Sequence, residues 1–531
     1  MRRYPPVLAS AAAALTVFFA LTVFWPLFCM FSRITAEGTA AVFAGAVFRR
    51  AVWNSCVSGL LTTAAALLLA TAMALLTECT RVRWKPLWRG TFLLPMLLPS
   101  VSEGTGLVLL LGANGLLTRW LHLPGSIYGL HGIVLGQVLY TAPVAYLLLA
   151  DLLRYRDQSP YDAARLAGVP PAFQCAGITL PFLRRELLAA GFLIFALSAT
   201  DYGIPLAVGG KVKTLASVMY SSVVGQLDFG KGSVIGVLLL LPAAASAAAD
   251  LLSPRGWIVS AARTPAVPPE DRRRDRWAFC LCALIAALFV LPVLAFMTTM
   301  LMEHYPLQTS LTLRHLTEFW TAPVSAGLRN SVLLGLGTAL AGTALTAAAA
   351  CVTARYSNRV SHGLHFLSVL MASVPGLVLG LAFVLAFKGT VLYGSVWLLI
   401  LAGVLHFFTT PYYLLYQALQ KLSSELEHAG QTLGIPPLRM IFGVLLPQCA
   451  GTLTDMAAYF FINSTITISA VSFLASASIR PLSLLVVQYS DQLNLAGAAY
   501  LSFLILCVNL LALGAAALFK CACGSRRADR C

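Results

Sequence analysis

Polar residues interrupt this chain so rarely that its organisation can be read from where they fall. Runs of about 20 mostly apolar residues, the length that crosses a bilayer as a helix, occur at 7–31, 54–76, 90–112, 130–152, 187–208 and 233–252. They recur at 279–301, 330–352, 364–387, 394–416, 452–474 and 496–518. The pattern predicts an all-α polytopic membrane protein of about 12 transmembrane helices, six in each half. Pro95, Pro99, Pro205, Pro375 and Gly376 fall inside the runs, where neighbouring helices can accommodate them.

One polar interruption is repeated. Ser159–Pro181, SPYDAARLAGVPPAFQCAGITLP, returns as Glu425–Pro447, ELEHAGQTLGIPPLRMIFGVLLP, at an offset of 266 residues. The copies share Ala163/Ala429, Gly168/Gly434, the pairs Pro170-Pro171 and Pro436-Pro437, Gly177/Gly443, and Leu180-Pro181 with Leu446-Pro447. Upstream, Asn54-Ser55 matches Asn330-Ser331 and Pro99 matches Pro375 at an offset of 276, so about ten additional residues lie in the first half near Gly112–Gly129. Downstream, Gln226-Leu227-Asp228 matches Gln492-Leu493-Asn494 in the 266 register. The chain therefore reads as a tandem duplication: a first repeat over 1–252 with its loop at 153–186, a basic Pro-rich linker over 253–278, a second repeat over 279–519 with its loop at 417–451, and a tail over 520–531.

Each copy has the signals of a stiff bent element. Ser159-Pro160 predicts an N-cap followed by proline at the first helical position, with Asp162 reaching back to free N–H groups; Ser424-x-x-Glu427 repeats the logic. Gly168 and Gly434 predict left-handed helix ends, and the Pro-Pro pairs an extended step before a second short helix.

Composition agrees with the membrane reading: 59% of residues are apolar, 11% are charged, and mean hydropathy is +0.82. The net charge of +16 reports topology here; no basic face with interleaved aromatics suggests nucleic acid. With the N-terminus inside, 25 of the 36 Lys and Arg fall on the cytoplasmic side and 11 outside, which puts both termini and both repeated elements in the cytoplasm. Met1-Arg2-Arg3 before a long apolar run predicts an uncleaved first span. Twelve scattered cysteines form no disulfide framework, and Cys280-x-Cys282 and Cys521-x-Cys523 lack a partner set. Eight histidines, His362 and His365 among them, form no metal constellation with acids or cysteines, and no cofactor or catalytic residue is expected. Gly225–Gly232 falls one residue short of a phosphate-binding loop, because Gly232 stands where Ser or Thr is needed. Energy must then come from a partner or a gradient.

The repeated element resembles the cytoplasmic loop of binding-protein-dependent ABC importer permeases, whose pattern is Glu-Ala-Ala, three residues, Gly, and a later Leu-Pro. Asp162-Ala163-Ala164, Gly168 and Leu180-Pro181 carry it in the first copy, and His428-Ala429-Gly430, Gly434 and Leu446-Pro447 in the second. SIYGLHGIVLGQVLYTAPVAYLLL (126–149), TDYGIPLAVGG (200–210) and ITISAVSFL (466–474) resemble the fused two-permease branch serving iron(III), thiamine and 2-aminoethylphosphonate. The resemblance implies a bacterial inner-membrane permease, an ABC ATPase dimer docking on the two loops, and a periplasmic or lipid-anchored substrate-binding protein, with iron(III) as the leading substrate. Asp162, Ala163, Ala164, Gly168, Pro181, Glu427, His428, Ala429, Gly434 and Pro447 are then ATPase-coupling residues. Asp162 stands for the motif's Glu, but the second copy has His428 there and its acid one residue earlier, at Glu427, so the docking sites are expected to be unequal.

Glu103 and Asp201 fall within or near apolar spans, where ionisable groups mark a pathway or a water-filled helix break. They are the main support for the rival class, an ion-coupled secondary transporter; the paired polar elements argue against it. Outside, 11 basic residues face Glu37, Asp228, Glu303, Glu318 and Asp491, an excess that suits an anionic substrate or the docking of a binding protein.

Overall fold

Apolar runs free of turn residues become long single helices in the computed structural model: Ala46–Glu78, Leu130–Arg154, Phe229–Leu252, Arg272–Thr298, Ala322–Arg355 and Leu495–Ala528. The structure describes residues 6–122, 125–154, 156–252, 268, 270–304, 308–355, 358–476 and 478–528. Several helices outrun the apolar stretch that predicts them, because a helix satisfies its own backbone on either side of the membrane boundary. Arg49 and Arg50, for example, lie inside Ala46–Glu78.

Proline breaks the third span of each half at matched positions. Lys85–Leu93 passes through a tight 3₁₀ turn to extended Leu98 (ψ 153°), and a new helix starts at Ser100. In the second half Arg359–Ser373 meets Gly376–Phe387 at 105°. The residue before a proline is pushed out of the helical region, which accounts for both breaks. The single helices expected over 187–208 and 452–474 are also broken. Leu180–Thr200 ends at extended Asp201, whose carboxylate accepts the N–H groups of Gly203 and Ile204 at 3.2 Å each and starts a short helix, Gly203–Val208. Ala450–Ile466 ends at extended Thr467, whose carbonyl accepts the Ser483 hydroxyl at 2.8 Å.

Among the described residues eight helices are long and apolar enough to cross a membrane, and eleven if each of three bent pairs is one span. Twelve were expected; the helix Leu180–Thr200, which overlaps the run at 187–208, is not among the eleven, because Arg184, Arg185 and Glu186 near its start interrupt its apolar stretch. An antiparallel pair, Met302–His304 with Gln308–Leu311, adds a hairpin that the apolar pattern did not reveal.

The chain forms two compact units. The first unit comprises Ala41–Met219 and Leu241–Thr312; the second comprises Met1–Ala40, Tyr220–Leu240 and Leu313–Cys531. The core of the first unit joins Ala66, Met73, Phe92 and Tyr146 to Ala278, Cys282, Ala286 and Phe289 of the helix Arg272–Thr298. The approach is close: a Cβ on Gly106 would lie 2.2 Å from the Pro292 carbonyl oxygen. The core of the second unit takes in Leu8, Ala12, Leu15, Phe19 and Val23 of the N-terminal helix, and Phe19 meets Phe408 edge-on at 5.2 Å. Each half of the sequence thus supplies its opening helix to the unit built mainly from the other half.

Register-matched positions of the two halves make matching hydrogen bonds. Ser55 Oγ accepts the N–H of Leu215, and Ser331 Oγ that of Leu482, both at 2.8 Å. Leu227 and Leu493 both adopt left-handed backbone (φ 55° and 58°), and the Asp228 and Asn494 side chains accept the N–H groups of Lys231 and Gly497. Between these landmarks the first half has one residue more, which is absorbed as a wide turn at Ser221–Gly225.

Candidate functional site

The two polar elements fold alike. Ser159–Leu166, Pro171–Gln174 and a π-turn at Cys175–Thr179 lead into the helix that begins at Leu180. Glu425–Thr432, Pro437–Met440 and Ile441–Leu445 lead into Leu446 with the same spacing. The first helix of each closes in a Schellman motif. Val169 N–H donates to the Ala164 carbonyl at 2.9 Å and Gly168 N–H to that of Arg165, matched by Ile435 to Gly430 at 2.8 Å and Gly434 to Gln431. Gly168 and Gly434 sit at φ +71° and +69°, and nothing lies within 4 Å of where a Cβ would stand. Glycine is needed there for its dihedral angle and not for space. The π-turns precede Pro181 and Pro447, where the missing N–H disrupts the i→i−4 ladder and the preceding residue bonds one carbonyl further back.

The helix starts differ from the expectation. Ser159 and Ser424 do not cap by their side chains. The oxygen that accepts the first N–H comes earlier: Asp157 Oδ1 takes the N–H of Ser159 at 3.1 Å, and Ser423 Oγ that of Glu425 at 3.1 Å. Asp162 does not reach back to the backbone either; it accepts Gln158 Nε2 at 2.8 Å and Arg165 at 3.3 Å.

What each element shows and hides follows from this geometry. Asp162, Ala163, Gly168 and Pro181 are exposed, with Ala164 half-buried; in the second copy His428, Ala429, Gly434 and Pro447 are exposed. Beside the glycines, Leu166 is 92% exposed and Leu433 77%. Glu427, by contrast, is turned inward. Its carboxylate grips Arg355 through Nε at 2.6 Å and Nη2 at 2.8 Å, with side-chain exposures of 9% and 6%. Arg355 also donates to the carbonyls of Leu419 and Leu422, so the guanidinium ties the second element to the end of the helix Ala322–Arg355.

The first half reaches the same end with other residues. In the repeat registers Cys79 stands for Arg355 and Tyr161 for Glu427, while Arg156 occupies the place of Leu422. Arg156, buried, lies 5.6 Å over the Tyr161 ring and donates to Cys79 Sγ and the Glu78 carbonyl. Burial pushes the Tyr161 phenol above its ordinary pKa, so it stays a hydroxyl paired with Thr179 at 3.0 Å. One turn away, Tyr146 meets Thr77 at 3.3 Å and Tyr412 meets Thr353 at 2.8 Å. Arg355 and Arg156 escape a sequence reading because each looks like an ordinary cation at a helix end. The clue was that register-matched positions differ together.

Elsewhere, Asp201 is half-buried at its helix break, where Ser100 Oγ donates to it at 3.0 Å. Glu103 is 1% exposed and neither carboxylate oxygen has a hydrogen-bond partner. His365 is tied to the Tyr412 hydroxyl at 2.6 Å. No group of three or more His, Cys, Asp and Glu suited to a metal occurs among the described residues. Gly225–Gly232 forms the end of a π-turn and the start of the helix Phe229–Leu252, not a phosphate cradle. Of the linker, Ser253–Val267 and Pro269 lie outside the described residues. The run Asp271–Arg276 opens the helix Arg272–Thr298, with Asp271 accepting the N–H groups of Arg273 and Arg274. Arg81 bonds to the Pro268 carbonyl and pairs with Glu270.

Residues 341–520 match the family described as binding-protein-dependent transport system inner membrane component. The chain is 24% identical over 413 residues to a protein of Haemophilus influenzae named as a ferric transport system permease, covering 73% of this chain and 64% of that one. It is 24% identical over 416 residues to the ferric transport system permease of Actinobacillus pleuropneumoniae, covering 73% and 59%. A Salmonella typhi protein named as a 2-aminoethylphosphonate transport system permease is 27% identical over 113 residues, or 21% of this chain and 39% of that one. The chain thus spans about three fifths of the length of the ferric permeases it matches. Residues 341–520 of this all-helical membrane chain thus carry the domain of the binding-protein-dependent transport family, and the chain is similar along 73% of its length to a ferric permease and along 21% to a 2-aminoethylphosphonate permease.

Proposed function

We propose that the chain is the translocating subunit of an ATP-driven importer, taking its substrate from an external binding protein and its energy from a separate ABC ATPase dimer. The observation that carries this reading is the pair of Schellman-closed elements. Each is stiffened by a Pro-Pro step, tethered from behind by a buried arginine, and tipped by an exposed leucine. A rigid element with an apolar tip suits a protein partner better than water, and two alike suit a partner with two-fold symmetry. The Lys and Arg distribution supports both elements, and both termini, on the cytoplasmic side.

In this reading Asp162, Ala163, Ala164, Gly168 and Pro181, with His428, Ala429, Gly434 and Pro447, form the two docking faces. Glu427 positions its face from within, and the second face offers an imidazole where the first offers a carboxylate. The two docking sites are then unequal in strength. Similarity along 73% of the chain to ferric permeases, against 21% for the phosphonate permease, favours iron(III) as substrate over 2-aminoethylphosphonate or thiamine.

The test is co-purification of the solubilised chain with its ATPase, with Leu166→Cys and Leu433→Cys as crosslinking sites. The expected result is an ATPase recovered with the wild type, crosslinks from both cysteines, and uptake that stops on ATP depletion. Uptake that survives ATP depletion, with no ATPase recovered, would instead establish the ion-coupled transporter.

A further inference from the structure

Glu103 is an anomaly that coupling to an ATPase does not use. It lies in the first turn of Ser100–Leu111, directly after the proline break of the third span, and both of its oxygens are buried without a hydrogen bond. Nearly every buried polar atom in a protein finds a partner, and a carboxylate charge inside a membrane without one is costly. A ligand that supplies the missing partner would account for such a group.

Its surroundings define what that ligand is. Ser100, three residues earlier and so on the same face of the helix, donates to Asp201. Asp201 in turn is held by the N–H groups that open Gly203–Val208. A half-buried carboxylate is thereby bonded to the residue one helical turn before the orphaned one. At the register-matched positions the second half has Gly376, Leu379 and Thr467, so the acids belong to the first half alone and are not a requirement of the fold.

We infer that Glu103, with Asp201, is a cation-binding station inside the first unit, and that the transported species passes it carrying positive charge. The inference rests on the importer reading and narrows it, since iron(III) and thiamine are cations whereas 2-aminoethylphosphonate bears an anionic head. Two carboxylates suit transient passage. A station has to bind weakly enough to release, and a retained ion would call for three or more ligands.

The test uses the full chain alone in lipid nanodiscs, so that it does not depend on any ATPase. A hydrophobic carbodiimide labels membrane-buried carboxyls, and peptide mass spectrometry reads the labelling of Glu103 in the presence of iron(III) citrate, thiamine or 2-aminoethylphosphonate, each against citrate alone. Protection of at least fivefold by iron(III) or by thiamine, lost in Asp201→Asn, is expected. Protection by 2-aminoethylphosphonate, or by none of the three, overturns the inference. In the assembled transporter Glu103→Gln should cut uptake of the protecting cation more than tenfold while the binding protein still stimulates ATP hydrolysis. Wild-type uptake by Glu103→Gln would refute the station with the importer intact; failure of the ATPase to assemble at all would instead refute the importer reading.

Discussion

Arg355 and Glu427 form a bidentate pair in the second half whose side chains are almost wholly withdrawn from solvent. Removing one partner of a buried pair strands the other, at a cost of about 3 to 5 kcal/mol. Glu427→Ala and Arg355→Ala are therefore each expected to destabilise the detergent-solubilised chain by that amount in thermal unfolding. The double variant Arg355→Met with Glu427→Leu should recover most of the loss, since a well-packed apolar pair is often as stable as the ion pair it replaces. A double variant no better than the singles would mean that the pair is not closed on itself. The sequence could not separate Glu427 from Asp162: both are acids near the start of matched helices. What parts them is the helical rotation of one residue, which carries Asp162 outward and Glu427 in toward Arg355. Glu103 was legible only as an acid in an apolar run; that its oxygens lack partners is a property of packing.

The two glycine pairs shared by the copies of the repeated element differ in physical kind. Gly168 and Gly434 hold left-handed backbone, so Gly168→Ala or Gly434→Ala should cost about 1 to 2 kcal/mol and loosen the closing turn, read as faster amide hydrogen exchange at Val169 or Ile435. Gly177 and Gly443 lie in helical π-turns with open space around their Cβ positions. Alanine there should be neutral or stabilising by about 0.5 to 1 kcal/mol, which the same unfolding experiment checks. The left-handed closure and the Pro-Pro step were readable in the sequence because glycine and proline constrain the backbone wherever they stand. The helix starts were not, because Asp157, Ser159, Ser423 and Ser424 are all competent caps and only the path of the preceding chain decides between them.

At the scale of the whole chain, the all-helical membrane class and the matched registers follow from apolar run length and sequence spacing, both one-dimensional properties. The composition of the compact units does not, because nothing in a run of apolar residues says which neighbour it will meet. The helix Arg272–Thr298 packs with the first half, and the N-terminal helix with the second. Residues 1–252 and 279–531 expressed separately should each lack a helix that completes a core and be degraded or aggregate. Expressed together, they should be recovered as a complex by affinity capture of either one. Two halves that are each stable and monodisperse alone would contradict the exchange.

The exchange also sets a schedule for synthesis. Phe19 leaves the ribosome long before Phe408 and finds that aromatic neighbour only when Phe408 has been made and inserted. Until then the N-terminal helix has lipid, or the membrane insertion machinery, where its core should be. Assembly of the second unit therefore waits until the helices after Ala322 have been made, and a product stalled before them exposes an apolar helix face in the membrane.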